Sequence, residues 1–424
     1  MENNMNQNLN LITENSMNQI TSCEVCGSQE LIPVLDLGSH PMCDDLIKIG
    51  ENRVCKEYPI EILFCRECMT AHQRFQVAKQ DLFPVTYHYR ARFTADVLNG
   101  MKGLVNSCEE RFGALTNKKI VDIGCNDGSL LDYFKEKGAL TIGIEPTGAY
   151  IDAAKKKHHI YNDFLSVEVA GNIVNTHGKP DFITFTNVFA HIENLGEVLA
   201  SLKVLMSDKT VIIIENHYLG AVLEGNQFDT FYHEHPRTYS YNSFVHIART
   251  LNIEPLQVEF PARYGGNIRV FMGNAEIYGI KNSINIEELN NRESLYFERF
   301  SILRDNVEKW RNKTKTLLHD QVKKFGKLKA KAFPGRAAIL VKLLDLNTDM
   351  ISEVYEKPGS LKIGYYIPGT RIPIKSDEEL NRLEDKSKPI LNLAWHISDE
   401  IHGYLRNNGY KGPIIDILSS EDYQ

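Results

Sequence analysis

The chain has 424 residues, 42% hydrophobic and 24% charged, which is enough for two or three domains and for a sizeable buried core. The formal net charge of −7 argues against the Lys/Arg excess that nonspecific nucleic-acid binding or an anionic membrane surface requires. No apolar run is long enough to span a bilayer, so a small molecule is the expected partner, with no nucleic acid and no membrane.

Residues 1–19 are Asn-rich and polar, without the basic start and apolar centre of a signal peptide, and read as a disordered lead-in. Residues 20–85 are Cys-rich. Cys23-Glu-Val-Cys26 and Cys65-Arg-Glu-Cys68 form two C-x-x-C pairs whose thiolates can reach one tetrahedral Zn²⁺ at about 2.3 Å. Four thiolates close the coordination shell, so the expected zinc is structural. Cys43 and Cys55 lie between the pairs and compete as ligands, and a redox-active dithiol is the alternative reading. Eight cysteines without a secretion signal point to a reducing, cytoplasmic setting.

Residues 86–285 alternate short β-branched runs with helical stretches. The runs at 119–123, 140–144, 182–185 and 210–214 predict a parallel sheet covered by helices. The first run opens Val121-Asp-Ile-Gly-Cys-Asn-Asp-Gly-Ser129, in which Asp122 ends a strand and Gly124 and Gly128 bracket a tight turn into a helix. Missing side chains there let a ligand approach the backbone, and Asn126 stands where a dinucleotide fingerprint has its middle glycine. The second run ends in Glu145, an acidic residue suited to both hydroxyls of a ribose. Asn162-Asp163-Phe164 offers a polar group and a ring for adenine. A tight turn in an unrelated α/β fold is the competing reading of the loop.

Two His-rich segments follow strand ends: Thr186-Asn187-Val-Phe-Ala-His191 and Tyr232-His-Glu234-His235. Imidazole is suited to proton transfer near neutral pH, and a neighbouring carboxylate can orient it. The His-Glu-His spacing differs from the helical zinc motif, so a catalytic metal is the lesser reading, beside satisfied interior histidines. Residues 286–424 comprise one long charged helix over 286–332 and an α/β block with strands expected at 338–344, 390–394 and 414–417. Leu289, Leu295, Phe297, Phe300, Leu303, Val307, Trp310, Leu317 and Val322 form the apolar stripe of the helix.

The Asp-x-Gly-x-x-x-Gly loop with its strand-end Glu resembles class I S-adenosylmethionine-dependent methyltransferases. From about residue 20 onward, the chain resembles the C-methyltransferases of deoxysugar biosynthesis, which act on nucleotide-linked 4-keto sugars. The resemblance is carried by the four cysteines, Val34-Leu-Asp-Leu-Gly38, Phe189-Ala-His-Ile192, Tyr232-His-Glu-His235, Gly265-Gly-Asn-Ile-Arg269 and Tyr366-Ile-Pro-Gly-Thr-Arg-Ile-Pro-Ile374. It implies an α/β protein with an N-terminal zinc domain, a central class I methyltransferase domain of Rossmann type and a second Rossmann-like C-terminal domain. It also implies S-adenosylmethionine and Zn²⁺ as cofactors and a monomer or weak homo-oligomer.

In such enzymes a base removes the proton beside the ketone, and that role falls on His235, with Tyr232, Glu234 and His191 orienting it or polarising the keto oxygen and Tyr87 matching a catalytic Tyr that reaches the site from the edge of the zinc domain. Asp122, Gly124, Asn126, Gly128, Glu145, Asp163 and Asn187 are the expected cofactor residues. The chain departs from the family at Arg90 and Arg92, at Tyr264-Gly-Gly-Asn267 where His-Gly-Gly-Ser is usual, and at Phe333-Pro-Gly-Arg336. Arg90 and Arg92 are expected to bind substrate phosphate or carboxylate, with a solvated helix start as the competing reading, and Arg336, near a helix start, to bind substrate phosphate. O- or N-methyl transfer to a related intermediate is the enzymatic alternative, and a zinc-dependent scaffold is the non-enzymatic one. The C-terminal block carries no intact glycine loop and is expected to close over substrate without a second cofactor.

Overall fold

A computed structural model describes residues 17–82, 90–93, 95–419 and 422, so Tyr87 lies outside the described residues. The chain divides into two compact units. One contains residues through Pro33, Ile62–Glu224 and Glu234–Phe297; the other contains Val34–Glu61, Gly225–His233 and Glu298–Gln424. The segment between the two cysteine pairs therefore clusters with the C-terminal half of the chain, and the Tyr-His-Glu-His run is divided after His233.

The first unit is built on a seven-stranded sheet. Its strands are β1 (Lys119–Ile123), β2 (Leu140–Ile144), β3 (His159–Tyr161), β4 (Phe182–Thr186), β5 (Val211–His217), β6 (Glu254–Glu259) and β7 (Asn267–Gly273). The spatial order is β3-β2-β1-β4-β5-β7-β6. The first five strands are parallel, and β7 runs antiparallel to both β5 and β6. Runs such as Val211-Ile-Ile-Ile214 are buried throughout because helices cover both faces. On one face, Ile120, Phe182, Val211, Ile213 and Phe271 pack against Val97, Leu104, Leu130 and Phe134 of the helices Ala95–Phe112 and Ser129–Glu136. The short strand Met17–Gln19 lies within the segment read as a lead-in and pairs antiparallel with Phe75–Val77.

The second unit contains a five-stranded parallel sheet of β8 (Leu328–Lys331), β9 (Ile351–Glu356), β10 (Ile374–Ser376), β11 (Ile390–Asn392) and β12 (Ile414–Asp416), ordered β10-β9-β8-β11-β12. This doubly wound order reverses between β8 and β11. Residues 338–344, expected as a strand, belong instead to the helix Ala337–Leu343. Six of its seven side chains are buried, so the apolar run shows no helical period in the sequence.

The single long helix expected over 286–332 is two helices, Ile286–Glu293 and Tyr296–Phe325, followed by β8. Leu295 and Leu317 are exposed, and Tyr296 and Leu318 occupy the buried positions. Glu293 is the last residue of the first of these helices. Its buried carboxylate accepts from Tyr218 Oη (2.9 Å) and from the Tyr241 and Asn242 amides (2.7 and 3.0 Å), which cap the helix Tyr241–Thr250.

Glu293→Ala would leave those donors unpaired in the interior. A loss of about 3 kcal/mol in unfolding free energy is expected by urea denaturation; a change below about 0.5 kcal/mol would contradict this role.

Candidate active site and zinc centre

The zinc centre is made by two similar turns. The amide of Gly27 donates to the Cys23 carbonyl at 2.8 Å. Cys65 ends the strand Glu57–Cys65, and Cys68 leads into Thr70–Gln73. The residue after each second cysteine has a positive φ, 80° at Gly27 and 53° at Met69, which turns both thiols the same way. The four Sγ atoms lie within 4.8 Å of one another. Cys23 and Cys68 are 3.4 Å apart, Cys26 and Cys65 3.5 Å. Tetrahedral thiolates at about 2.3 Å from zinc stand about 3.8 Å from each other, so the donor set fits the ion and leaves no open position. His72 Nε2 lies 3.3 Å from Cys23 Sγ, placed to donate to that thiolate. Cys43 and Cys55 are buried and lie outside this cluster.

The centre is linked by side chains to the segment that follows His235. Glu24, between two zinc ligands, accepts from Arg237 Nη1 and from Gln76 Nε2 (2.7 Å). Burial alone would raise the Glu24 pKa, but the contacts with His72, Arg237 and Gln76 hold it at about 2. Arg237 is fully buried, also donates to Tyr239 Oη (3.0 Å) and the Glu193 carbonyl (3.3 Å), and pairs with His72 in an antiparallel ladder. The Gln73 amide donates to the Pro236 carbonyl at 2.8 Å. The chain around His235 is thus stitched to a strand that begins beside a zinc ligand.

At the cofactor loop, Gly124 and Gly128 have φ of 69° and 74°, and Asn126 takes the same left-handed region at 50°. A Cβ on Gly124 would meet Val188 Cγ2 at 2.7 Å, and one on Gly128 would meet His158 at 2.9 Å. Glu145 is buried and its pKa is raised by burial. Its Oε2 accepts the Asn126 amide (2.9 Å), and its Oε1 accepts the Thr147 amide (2.8 Å) and hydroxyl (2.5 Å). A carboxylate offers about four lone-pair sites, which leaves capacity for a ribose hydroxyl. Bare backbone beside a strand-end carboxylate fits a nucleoside cofactor.

Asp122 lies beneath the loop rather than at its surface. It is 3% exposed, burial pushes it up to about 7, and the Thr184 hydroxyl donates to it at 2.6 Å. Asp163 is exposed, with its Oδ1 accepting the Phe164 amide at 2.7 Å. Asn187 directly follows β4 with a φ of 54° and accepts from Asn267 Nδ2 at 3.2 Å.

Arg90 and Arg92 both engage Asp152, at 3.3 and 2.8 Å. The backbone between them is tied to the glycine loop, through the Ala91 amide to Asn126 Oδ1 (3.1 Å) and the Arg92 amide to Asp127 Oδ2 (3.0 Å). In the second unit, Arg336 is also engaged within the protein. Its Nε donates to Asp229 Oδ2 at 2.8 Å and its Nη2 to Asp229 Oδ1 at 2.5 Å, while Trp395 Nε1 reaches the same carboxylate at 2.8 Å.

Beyond the carboxyl ends of β4 and β5, three imidazoles converge. The His235 ring centroid lies 4.7 Å from that of His191 and 5.4 Å from that of His217. Glu234 and His235 are 7% and 4% exposed. Burial lowers His191 to about 4, so its ring is neutral at physiological pH. His217 lies three residues beyond the apolar run at 210–214, and the strand β5 extends to include it. His233 faces elsewhere: its Nε2–H donates to the Tyr58 carbonyl at 3.0 Å, and burial lowers it to about 4. Tyr232 is half-buried and falls in the second unit with His233. Among the described residues, no helix is long and apolar enough to cross a membrane.

The pKa values of His191 and His233 fall from 6.5 unfolded to about 4 folded, so the unfolded chain binds more protons throughout that interval. Stability is expected to decline as pH falls through this window, read as a falling Tm, with a shallower decline in His233→Gln. A Tm that rises on acidification would contradict it.

Three family descriptions match in succession: "Putative zinc binding domain" over residues 23–83, "Methyltransferase domain" over 96–258 and "C-methyltransferase C-terminal domain" over 262–413. C-methyltransferase NovU of Streptomyces niveus is 26% identical over 400 residues, 92% of this chain and 94% of that protein. A ubiquinone biosynthesis O-methyltransferase of Rhodopseudomonas palustris (strain TIE-1) is 29% identical over 103 residues, covering 24% of this chain and 40% of its own length. Among solved structures, magnesium protoporphyrin IX methyltransferase (ChlM) of Synechocystis PCC 6803 with bound SAM aligns at 14% identity and a TM-score of 0.32, covering 42% of this chain and 80% of that one. The three family matches follow one another from the cysteine pairs to the C-terminal sheet, and with these relatives they show an S-adenosylmethionine-dependent methyltransferase with an N-terminal putative zinc-binding domain, similar along most of its length to a C-methyltransferase.

Proposed function

We propose that this enzyme methylates a carbon of a nucleotide-linked 4-keto sugar, with His235 as the base that generates the carbon nucleophile. The observation that carries the reading is the cluster of His191, His217 and His235 beyond the ends of β4 and β5. Ligand and catalytic groups of open α/β sheets gather on that side. Bound S-adenosylmethionine supplies a methyl group on a positively charged sulfur, which a carbon nucleophile can attack.

The chain's task is to make that nucleophile. A C–H beside a ketone is acidic enough for imidazole only when the enolate oxygen is stabilised. His235 takes the proton on a ring nitrogen, and the electron pair of the broken C–H bond moves into the enolate. His191, held neutral by burial, is suited to donate an N–H to the developing oxygen without itself competing for the proton. Glu234 and Tyr232 are assigned to orienting the base. The net change replaces C–H by C–CH3.

The similarity to a protein named as a C-methyltransferase favours carbon over oxygen or nitrogen. A cytoplasmic location is part of the same reading, because a reducing compartment keeps the four thiols available to zinc.

Incubation of the enzyme with a nucleotide-linked 4-keto sugar in D₂O, without cofactor, is expected to exchange the proton beside the ketone, and His235→Gln should slow exchange by about 10²–10⁴-fold. No exchange by the unaltered enzyme would favour an O- or N-methyl acceptor. Glu24→Gln removes the negative charge that holds Arg237. It is expected to slow the same exchange by up to about 10²-fold while the affinity for S-adenosylhomocysteine stays within about twofold, because a small displacement of a base is costly. Equal loss in both would mean that Glu24 serves the fold alone.

A further inference from the structure

Asn187 directly follows β4 and stands between the cofactor loop and the imidazoles. Its neighbour Val188 packs on that loop, with Cγ2 at 2.7 Å from where a Gly124 Cβ would stand. Its own backbone lies beside the ring of His191, whose centroid is 4.7 Å from that of His235. A left-handed φ of 54°, which asparagine tolerates better than most side chains, holds it there. A carboxamide at this point offers a bound substrate either an acceptor or a donor, depending on which way it is turned.

The way it is turned is dictated by a carboxylate two side chains away. Glu215 is 0% exposed and held by Arg263 (3.0 Å) and Arg269 (2.7 Å), so it can only accept hydrogen bonds. Asn267, also 0% exposed, reaches Glu215 Oε1 at 3.0 Å and Asn187 Oδ1 at 3.2 Å with one and the same atom. That atom must be Nδ2, because an oxygen there would face the carboxylate. Its second hydrogen goes to Asn187, whose facing atom must then be Oδ1. Asn187 Nδ2 is the other end of this half-buried carboxamide and makes no hydrogen bond to another described residue. Asn267 opens β7 opposite His217, and His217 lies against His235, so the chain of amides ends at the imidazoles.

We propose that Asn267 is a positioning residue: it passes the polarity of Glu215 to Asn187, whose Nδ2 then donates to the substrate oxygen that gains charge as the carbon nucleophile forms. The proposal rests on the enolate reading above. A donor oriented before the reaction stabilises the developing charge without reorganising. Serine, usual in the family at position 267, has a single hydroxyl hydrogen and cannot donate to Glu215 and Asn187 together.

The test compares deuterium exchange beside the ketone, S-adenosylhomocysteine affinity and Tm in the full-chain enzyme and in Asn267→Ser, Asn187→Gly, the double variant of these two, and Asn187→Asp. Glycine keeps the left-handed backbone and removes the carboxamide. Aspartate keeps the oxygen that faces Asn267 and loses only the donor, so its result stands even if Asn267→Ser folds poorly. Both Asn187 variants are expected to slow exchange by about 10²–10³-fold and Asn267→Ser by about tenfold. The double variant should be no slower than Asn187→Gly, because the two residues act as one unit, with S-adenosylhomocysteine affinity within about twofold throughout. Exchange intact in the unaltered enzyme and unchanged in Asn187→Asp would overturn the proposal while leaving the enolate reading in place. A double variant slowed by the product of the two single effects, or cofactor affinity lost in step with exchange, would also overturn it. No exchange by the unaltered enzyme would overturn the enolate reading and this inference together.

Discussion

The contact on which the site's geometry turns is the pair between Glu24 and Arg237. Arg237 is a guanidinium with no exposure to water, and a buried charge of that kind is tolerated only when it is paired and hydrogen-bonded. Glu24 supplies the pairing from within the Cys23–Cys26 turn, so the metal-organised turn holds the carboxylate in place. The ladder from Arg237 to His72 and the Gln73–Pro236 hydrogen bond then fix the backbone that directly follows His235. Zinc can matter to the reaction in this way without touching substrate.

A second constraint is the register of the parallel strands. Thr184 of β4 stands opposite Asp122 of β1 and Ile213 of β5, which brings three strand ends to one edge. The glycine loop follows the first, Asn187 and His191 the second, and His217 ends the third. Ionic groups enforce the arrangement. Glu215, fully buried, joins β5 to Arg269 and Asn267 of β7 and to Arg263. In the second unit, the buried pairs Lys331–Asp377 and Arg336–Asp229 do comparable work. Desolvation offsets much of the Coulombic gain in such pairs, and breaking one is costly because it leaves a charge alone. They specify which partner each segment meets more than they add to net stability.

The parts of the molecule legible in the sequence are those whose chemistry is local. The C-x-x-C pairs, the Gly124–Gly128 turn, Asp122 within β1 and Glu145 directly after β2 carry their signal within about ten residues. The strand expected at 338–344 is a helix because burial on all sides erased its period. The helix expected over 286–332 is two, and Glu293, at the end of the first, caps a helix some fifty residues earlier, a partnership without a local signature. His217, Arg237 and Asn267 gain their importance from strand pairing, which a single sequence does not display. Arg336 read as an available cation because Asp229, which holds it, lies 107 positions away.

The central claim is that an imidazole held beyond β4 and β5 makes a carbon nucleophile for methyl transfer. It is tested most directly by supplying methyl-¹³C S-adenosylmethionine with a nucleotide-linked 4-keto sugar and reading the product by ¹³C NMR. The account predicts a labelled methyl group bonded to a ring carbon. A labelled methyl on oxygen or nitrogen would contradict it.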